Sequence, residues 1–139
     1  MTDSRPSGAT PDQARLIHAL LTLGAVVTLA VLGMVKQVLG GEPLLPDAPW
    51  FFRVIPFLVL LLTLASIAAL RSSVPARRDA SHSEWEQAYV GHMLFRSFMA
   101  EGTAIVGAVC WFLIGDPLIL IGVTGPALLM LLVSRPRSD

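Results

Sequence analysis

Four long apolar stretches, separated by short polar connectors, dominate the pattern of hydrophobic and polar positions along the chain. They cover about residues 16–35, 50–70, 95–114 and 117–133. Each is close to the roughly 20 residues that an α-helix needs to cross the hydrocarbon core of a bilayer. Because only helices and closed barrels satisfy backbone polar groups in lipid, we predict an all-α integral membrane protein. Its single domain, residues 1–139, is expected to be a four-helix antiparallel transmembrane bundle.

Capping and turn residues predict where these helices begin and end. Residues 10–13 (Thr-Pro-Asp-Gln) form a capping box at the start of the first helix, and residues 40–41 (Gly-Gly) follow its end. Residues 83–86 (Ser-Glu-Trp-Glu) predict that the third helix starts near residue 84, ahead of its apolar stretch. Residues 115–117 (Gly-Asp-Pro) predict a tight turn before the fourth helix.

Three further segments interrupt the regular pattern. Residues 1–9 have little to bury, and we expect a short flexible tail. In the fourth helix, residues 122–126 include two glycines, a threonine and a proline, which predict a kink or a close contact with another helix. The front of the third helix, from about residue 84 to residue 94, mixes polar and apolar positions and is expected at the membrane surface or in the cytosol.

Composition narrows the functional classes. Hydrophobic residues make up 54% of the chain and charged residues 14%, and the mean hydropathy is +0.68, which is too apolar for disorder or for an ordinary soluble domain. The net charge of +0 gives no electrostatic basis for binding nucleic acid. Four spans leave no room for a separate catalytic domain, and no nucleophile or phosphate-binding motif is present. We therefore predict no enzymatic activity and no cofactor.

Basic residues predict the orientation of the bundle. Two of them, Lys36 and Arg53, lie near the ends of spans on one side of the membrane. By the positive-inside rule, the side with more basic residues faces the cytoplasm, so both termini and the middle connector are expected there. The arginine- and alanine-rich composition favours a bacterial source, and hence an inner membrane. The seven basic residues of that cytoplasmic side are Arg5, Arg15, Arg71, Arg77, Arg78, Arg135 and Arg137.

Glu101 is an acidic residue within the third apolar stretch, roughly 9 Å from its cytosolic edge. An acid at the centre of a membrane helix costs about 2.5–3.5 kcal/mol on insertion scales, so intramembrane acids are candidates for function. One interpretation is a carboxylate that exchanges a proton or binds an ion. The other is a structural hydrogen-bond partner or a side chain that reaches the interface. Polar residues at similar depth that could contact it are His18, Thr22 and Ser66.

Small residues recur along the third helix near Glu101. This spacing lets a neighbouring backbone approach closely. The preferred interpretation is packing against the fourth helix within the same chain, and the alternative is a seam between copies in a homo-oligomer. The candidate helix-packing residues are Ala100, Ala104, Ala108, Thr103 and Gly107.

The histidines do not form a metal-ligand pattern. His18, His82 and His92 lie on three separate segments, and Cys110 is near the opposite face of the membrane. Because zinc and similar ions need several ligands brought to one point, the sequence predicts no metal site.

The segment Met-Ala-Glu-Gly-Thr-Ala-Ile-Val-Gly-Ala-Val, residues 99–109, resembles a pattern in small four-span bacterial membrane proteins. That resemblance covers the last two spans and implies an all-helical membrane protein without assigning an activity. The same segment is similar to the carboxylate helix of rotary ATP synthase c-subunit proteolipids, which implies an ion-binding role for Glu101. The first span, with Gly24 and Gly33, departs from the dense glycine repeat of those rotor helices.

Two hypotheses follow for the function of the chain. The first is a non-enzymatic structural or accessory component of the membrane, since capping, topology and packing account for its polar residues. The second is a proton- or ion-linked carrier or a rotor-like subunit that uses Glu101. The expected partners are the lipid bilayer and either further copies of the chain or other membrane proteins, and no nucleic acid.

Overall fold

The structure is a computed structural model that describes residues 10–71 and 82–134. Within these ranges the chain forms helices and connecting turns, without a β-strand. The helices are α1 (Pro11–Val38), α2 (Phe51–Arg71), α3 (His82–Ile114) and α4 (Pro117–Val133). The first three are long and apolar enough to cross a membrane, and α4 is a shorter apolar helix. The predicted all-helical architecture with membrane-spanning helices is confirmed to this extent.

The predicted tail, residues 1–9, lies outside the described residues. So do five of the arginines that predict the orientation: Arg5, Arg77, Arg78, Arg135 and Arg137.

The ends of α1 and the turn after α3 follow the capping residues of the sequence. Gln13 donates its backbone N–H to Thr10 Oγ1 over 3.3 Å, and Thr10 N–H donates to Gln13 Oε1 over 2.9 Å. After α3, Gly115 takes a φ of +80°, a left-handed conformation that favours glycine. Asp116 Oδ1 then accepts the N–H of Leu118 over 3.0 Å. These local predictions are confirmed.

The start of α3 differs slightly from its prediction. The helix begins at His82, two residues before the expected start, so that Ser83 lies within the helix and not at its N-cap. Glu84 remains in the first turn, where the positive end of the helix dipole favours an acid.

The fourth helix changes its winding where the sequence predicts a kink or a close contact. It is α-helical at Pro117–Ile119, π-helical at Leu120–Thr124 and α-helical again at Gly125–Val133. Pro126 has no N–H, so the usual i→i−4 hydrogen bond to Gly122 is impossible. Gly125 N–H instead bonds Leu120 O, the i→i−5 pattern of a π-bulge.

The central helix of the bundle is α3, and α1 packs parallel to it. At one end, Ala14 of α1 lies in a buried cluster with Val90 and Met93 of α3. At the other end, Lys36 of α1 contacts Trp111 of α3. We call these the Arg15 end and the Lys36 end of the bundle, after the basic residue that α1 carries near each.

The other two helices run antiparallel to α3. Phe52, near the start of α2, packs with Ile114 at the Lys36 end. Leu131, near the end of α4, lies with Ala100 closer to the Arg15 end. The four helices therefore alternate in direction along the chain.

The fourth helix crosses the surface of α3 from α2 towards α1. Its first part lies beside α2, since Ile119 packs with Phe52, and a Cβ added to Gly122 would lie 3.1 Å from the Phe57 ring. Its last part reaches α1, where Ala127 and Leu131 join Ala25 in one buried cluster. This crossing holds α1 and α4 together towards the Arg15 end.

Candidate functional site

The Glu101 side chain points from α3 towards α1 and is half-buried. A Cβ built on Gly24 of α1 would lie 3.0 Å from Glu101 Oε1, tighter than nearly all real Cβ contacts. The missing side chain at Gly24 therefore makes the space that the carboxyl occupies. The contact between Glu101 and Gly24 was not predicted from the sequence. The available signal was a glycine on α1, the helix that packs parallel to α3.

Within residues 10–71 and 82–134, the Glu101 carboxyl forms no hydrogen bond or ion pair. Around the axis of α3, Glu101 lies one turn after Ser97 and about 100° from Ala100, which packs against α4. Its neighbours on the same flank, Phe98 and Gly102, are exposed on the bundle surface. The acid thus sits at the outer edge of the α1–α3 contact and not inside the bundle.

His18 forms a separate buried hydrogen-bond chain one turn from Glu101. Its Nδ1 lies 2.9 Å from Ser97 Oγ, and Ser97 Oγ donates to Met93 O over 3.0 Å. A hydroxyl has one hydrogen to donate, so this arrangement requires the hydrogen on His18 Nδ1. Both side chains are buried, and the chain of bonds links α1 to α3. His18 therefore contacts Ser97, a residue that the sequence analysis did not select.

Thr22 and Ser66, the other predicted neighbours of Glu101, occupy different places. Thr22 Oγ1 donates to His18 O over 2.9 Å, a bond within α1. Ser66 lies on α2, which packs on another face of α3. The structure thus brings His18 and Thr22 near each other on the α1 side, and Ser66 stands apart from both. A functional role for Glu101 and these residues stays a prediction.

A pair of threonines links α2 to α3 on that other face. Thr63 Oγ1 lies 2.7 Å from Thr103 Oγ1, and Thr103 Oγ1 also donates to Met99 O over 2.8 Å. Both side chains are buried. Thr103 was predicted as a small packing residue and Thr63 was not predicted, although it is one of only two hydroxyl side chains in the apolar α2, with Ser66.

The five candidate helix-packing residues of α3 are all buried in the bundle. Ala100 and Ala104 lie in a cluster with Ala127 and Leu131 of α4. A Cβ added to Gly107 would be 2.5 Å from Thr124 Oγ1 and 3.2 Å from the Thr124 backbone N. The backbones of α3 and α4 therefore approach closely at this point, as small residues allow. The remaining two candidates, Ala108 and Thr103, are 1% exposed each.

Lys36 interacts with the C-terminal end of α3. Its Nζ lies 3.5 Å from Trp111 O and 3.3 Å from Phe112 O, and 5.1 Å from the centre of the Trp111 ring. Carbonyls at the C-terminal end of a helix carry partial negative charge, so they favour a cation. Lys36 thereby joins the end of α1 to the end of α3.

A groove opens beside Lys36, between the last turns of α1 and Trp111. Its volume is about 410 Å³. The groove is lined by Ala30, Gly33, Met34, Lys36, Gln37, Gly41 and Trp111.

In the described part of the chain, no group of three or more His, Cys, Asp or Glu residues could hold a metal ion. His82, one of the three histidines considered from the sequence, has no described side chain. His92 is half-buried on the flank of α3 away from His18, and its Nδ1 has no hydrogen-bond partner among the described residues.

Comparison with known proteins found no matching protein family, curated relative or solved structure.

Proposed function

We propose that the chain is a non-enzymatic accessory subunit of a larger membrane assembly in a bacterial inner membrane. It crosses the membrane four times, with both termini in the cytoplasm. Glu101 is the residue that contacts the neighbouring protein. A second copy or another membrane protein supplies the hydrogen-bond donor or cation that this carboxyl lacks among the described residues of its own chain.

The membrane topology is supported by helix length, direction and charge. The described helices alternate in direction, which matches four consecutive crossings. The 17 residues of α4 are at the short end of the range that spans a hydrocarbon core. Both α1 and α2 expose many large apolar side chains, as surfaces in contact with lipid do. Seven basic residues near one side against two near the other favour cytoplasmic termini.

The single observation that carries the accessory role is the outward position of Glu101. A carboxyl within a membrane helix is costly, and such groups almost always face a bundle interior, a cavity or a partner. Glu101 instead lies at the edge of the α1–α3 contact, in the space left by Gly24. Its neighbour Gly102 has nothing within 4 Å of an added Cβ, so another helix can approach its backbone there.

The test is the size of the particle that the chain forms in its own membrane. The membrane is extracted into polymer-bounded nanodiscs, without detergent, and the tagged chain is measured by mass photometry. We expect the wild-type chain in particles larger than one copy with its lipid. Glu101→Leu, which removes both acceptor oxygens, should shift most of the chain to the single-copy size, and Glu101→Gln should do so partly.

The matched control is Glu86→Gln, which neutralises another carboxyl of α3 ahead of the apolar stretch. It should leave the particle size unchanged. A wild-type chain that already runs as a single copy would contradict the accessory role. So would a Glu101→Leu chain that keeps the wild-type size.

The second candidate function is a proton-linked carrier or rotor-like subunit. It is favoured by the same half-buried, unpaired carboxyl, because a group that takes up and releases a proton must be reachable. Carbodiimide reacts with protonated carboxyls in an apolar setting, so the test is labelling of reconstituted protein across a pH series. Labelling at Glu101 that falls as pH rises, and is absent in Glu101→Gln, would favour this candidate. Absent or pH-independent labelling would exclude it.

A further inference from the structure

We propose that the groove at the Lys36 end is a binding site for an anionic phospholipid. The phosphate of the lipid headgroup interacts with Lys36, and an acyl chain lies along the groove floor. This inference does not depend on the accessory role, because it concerns a different surface and different residues.

The charge of Lys36 supports an anionic ligand. Its ammonium group contacts two backbone carbonyls and the Trp111 ring, which are dipoles and a quadrupole but not full negative charges. In the described residues the one ion pair is Arg15 with Asp12, at the opposite end of α1. An ammonium has three hydrogens to donate, so a third remains for a phosphate oxygen.

The shape of the groove supports an acyl chain beneath the headgroup. Ala30, Gly33 and Met34 belong to the last turns of the apolar part of α1, and they line the groove on the membrane side of Lys36. Gly33 has nothing within 4 Å of an added Cβ, so the space beside it is open. An open apolar space on a membrane helix bundle is expected to hold a lipid acyl chain, because contact of its apolar lining with water is unfavourable.

The position of the groove along the helices supports a headgroup at its mouth. Trp111, Lys36 and Gln37 lie where α1 and α3 end, and tryptophan and lysine are typical residues of the membrane interface. Near the membrane surface each lysine contributes attraction to anionic lipids. The polar mouth and apolar floor therefore match the two parts of one phospholipid molecule.

The experiment measures lipid retention by native mass spectrometry. The full chain in detergent is mixed with phosphatidylglycerol, with phosphatidylcholine of the same acyl chains, or with inorganic phosphate. We expect one retained phosphatidylglycerol per chain and roughly fivefold less phosphatidylcholine, the factor that one lysine near the surface contributes. Equal retention of the two lipids would overturn the proposal. Retention of inorganic phosphate at the same level as the lipid would identify a free-anion site and overturn it too.

Four variants test whether the groove is the place of binding. Gly33→Leu fills the open space and should abolish retention, whereas Gly91→Leu adds the same side chain at another open glycine and should not. Lys36→Gln should remove the preference for the anionic lipid. Because Lys36 also joins α1 to α3, Lys36→Arg serves as the charge-preserving variant and should keep the preference. A Gly33→Leu chain that retains lipid as the wild type does, or a preference unchanged in Lys36→Gln, would overturn the proposal.

Discussion

The α3–α4 seam and the α1–α3 seam share the central helix but bury different kinds of groups. Between α3 and α4, small residues of α3 pack against Ala127 and Leu131 of α4, and Gly107 lets the two backbones come close at Thr124. Between α1 and α3 the contact includes the His18–Ser97 bond, the Glu101 carboxyl beside Gly24, and Lys36 on the end of α3. The first seam has no open space at Gly107, whereas the second has a half-buried carboxyl and an open groove.

This difference distinguishes the contacts that hold the bundle together from the groups for which a function is proposed. Close packing of small residues is a means of holding membrane helices together, since lipid gives no hydrophobic driving force between them. Polar groups in a membrane protein are costly and are kept where they bond to one another or serve a function. The comparison therefore predicts large stability effects for changes at the α3–α4 seam and small ones for Glu101, the unpaired group of the α1–α3 seam.

The largest effect is expected at Gly107. Gly107→Leu places a side chain where even a Cβ would be 2.5 Å from Thr124 Oγ1, so α3 and α4 must move apart. We expect a loss of about 3 kcal/mol or more in the free energy of unfolding, at the upper end for overpacked cores. The measurement is denaturant unfolding in detergent, followed by helical circular dichroism. Gly102→Leu, at a glycine with open space beside it, is the control, and its free energy of unfolding should be close to that of the wild type. Equal stability of the two variants would contradict the difference between the two seams.

The next effect is expected at the buried hydrogen bond of the α1–α3 seam. Ser97→Ala removes the hydroxyl that His18 Nδ1 contacts and leaves a small space in a buried position. We expect about 1–2 kcal/mol of destabilisation, as for removal of one partner of a buried bond. The same unfolding experiment measures it. Ser97→Thr keeps a hydroxyl and should recover part of the loss; no difference between the two variants would show that the bond does not contribute.

A smaller effect is expected where α2 meets α3. Thr63→Val keeps the shape of the side chain and removes the bond to Thr103 Oγ1, which still donates to Met99 O. Hydrogen bonds between membrane helices contribute about 0.6 kcal/mol on average, and we expect a loss of that size. A double-mutant cycle with Thr103→Val gives the coupling energy, and a value near zero would contradict a stabilising bond.

The smallest effect on stability is expected at Glu101. The carboxyl has no hydrogen bond in the described residues, so Glu101→Gln should change the unfolding free energy of the isolated chain by less than about 0.5 kcal/mol. The measurement is again unfolding in detergent, where no partner is present. A loss of more than about 1 kcal/mol in the free energy of unfolding would show that the carboxyl forms a stabilising interaction within the bundle. That result would argue against its proposed role as a contact with a neighbouring protein.

Helix positions were largely predictable from the sequence, and side-chain partners largely were not. The pairing of Glu101 with Gly24 was missed, because α3 carries small residues on several faces and any of them could have met α1. The expected grouping of Glu101 with Ser66 rested on similar depth alone, and depth does not specify which face of a helix a residue occupies. The π-helical segment was anticipated as an irregularity near Pro126, but its type was not.

By itself the sequence determined the helical class, the apolar lengths, the capping box at Thr10 and the turn at Gly115. These features depend on backbone groups within a few residues and on total apolar length, both of which can be read along the chain. Only the tertiary structure decided that Glu101 lies at an outer edge, that α4 crosses from α2 to α1, and that a groove opens beside Lys36. Those outcomes depend on how side chains of distant helices fit together, and no single helix contains that information.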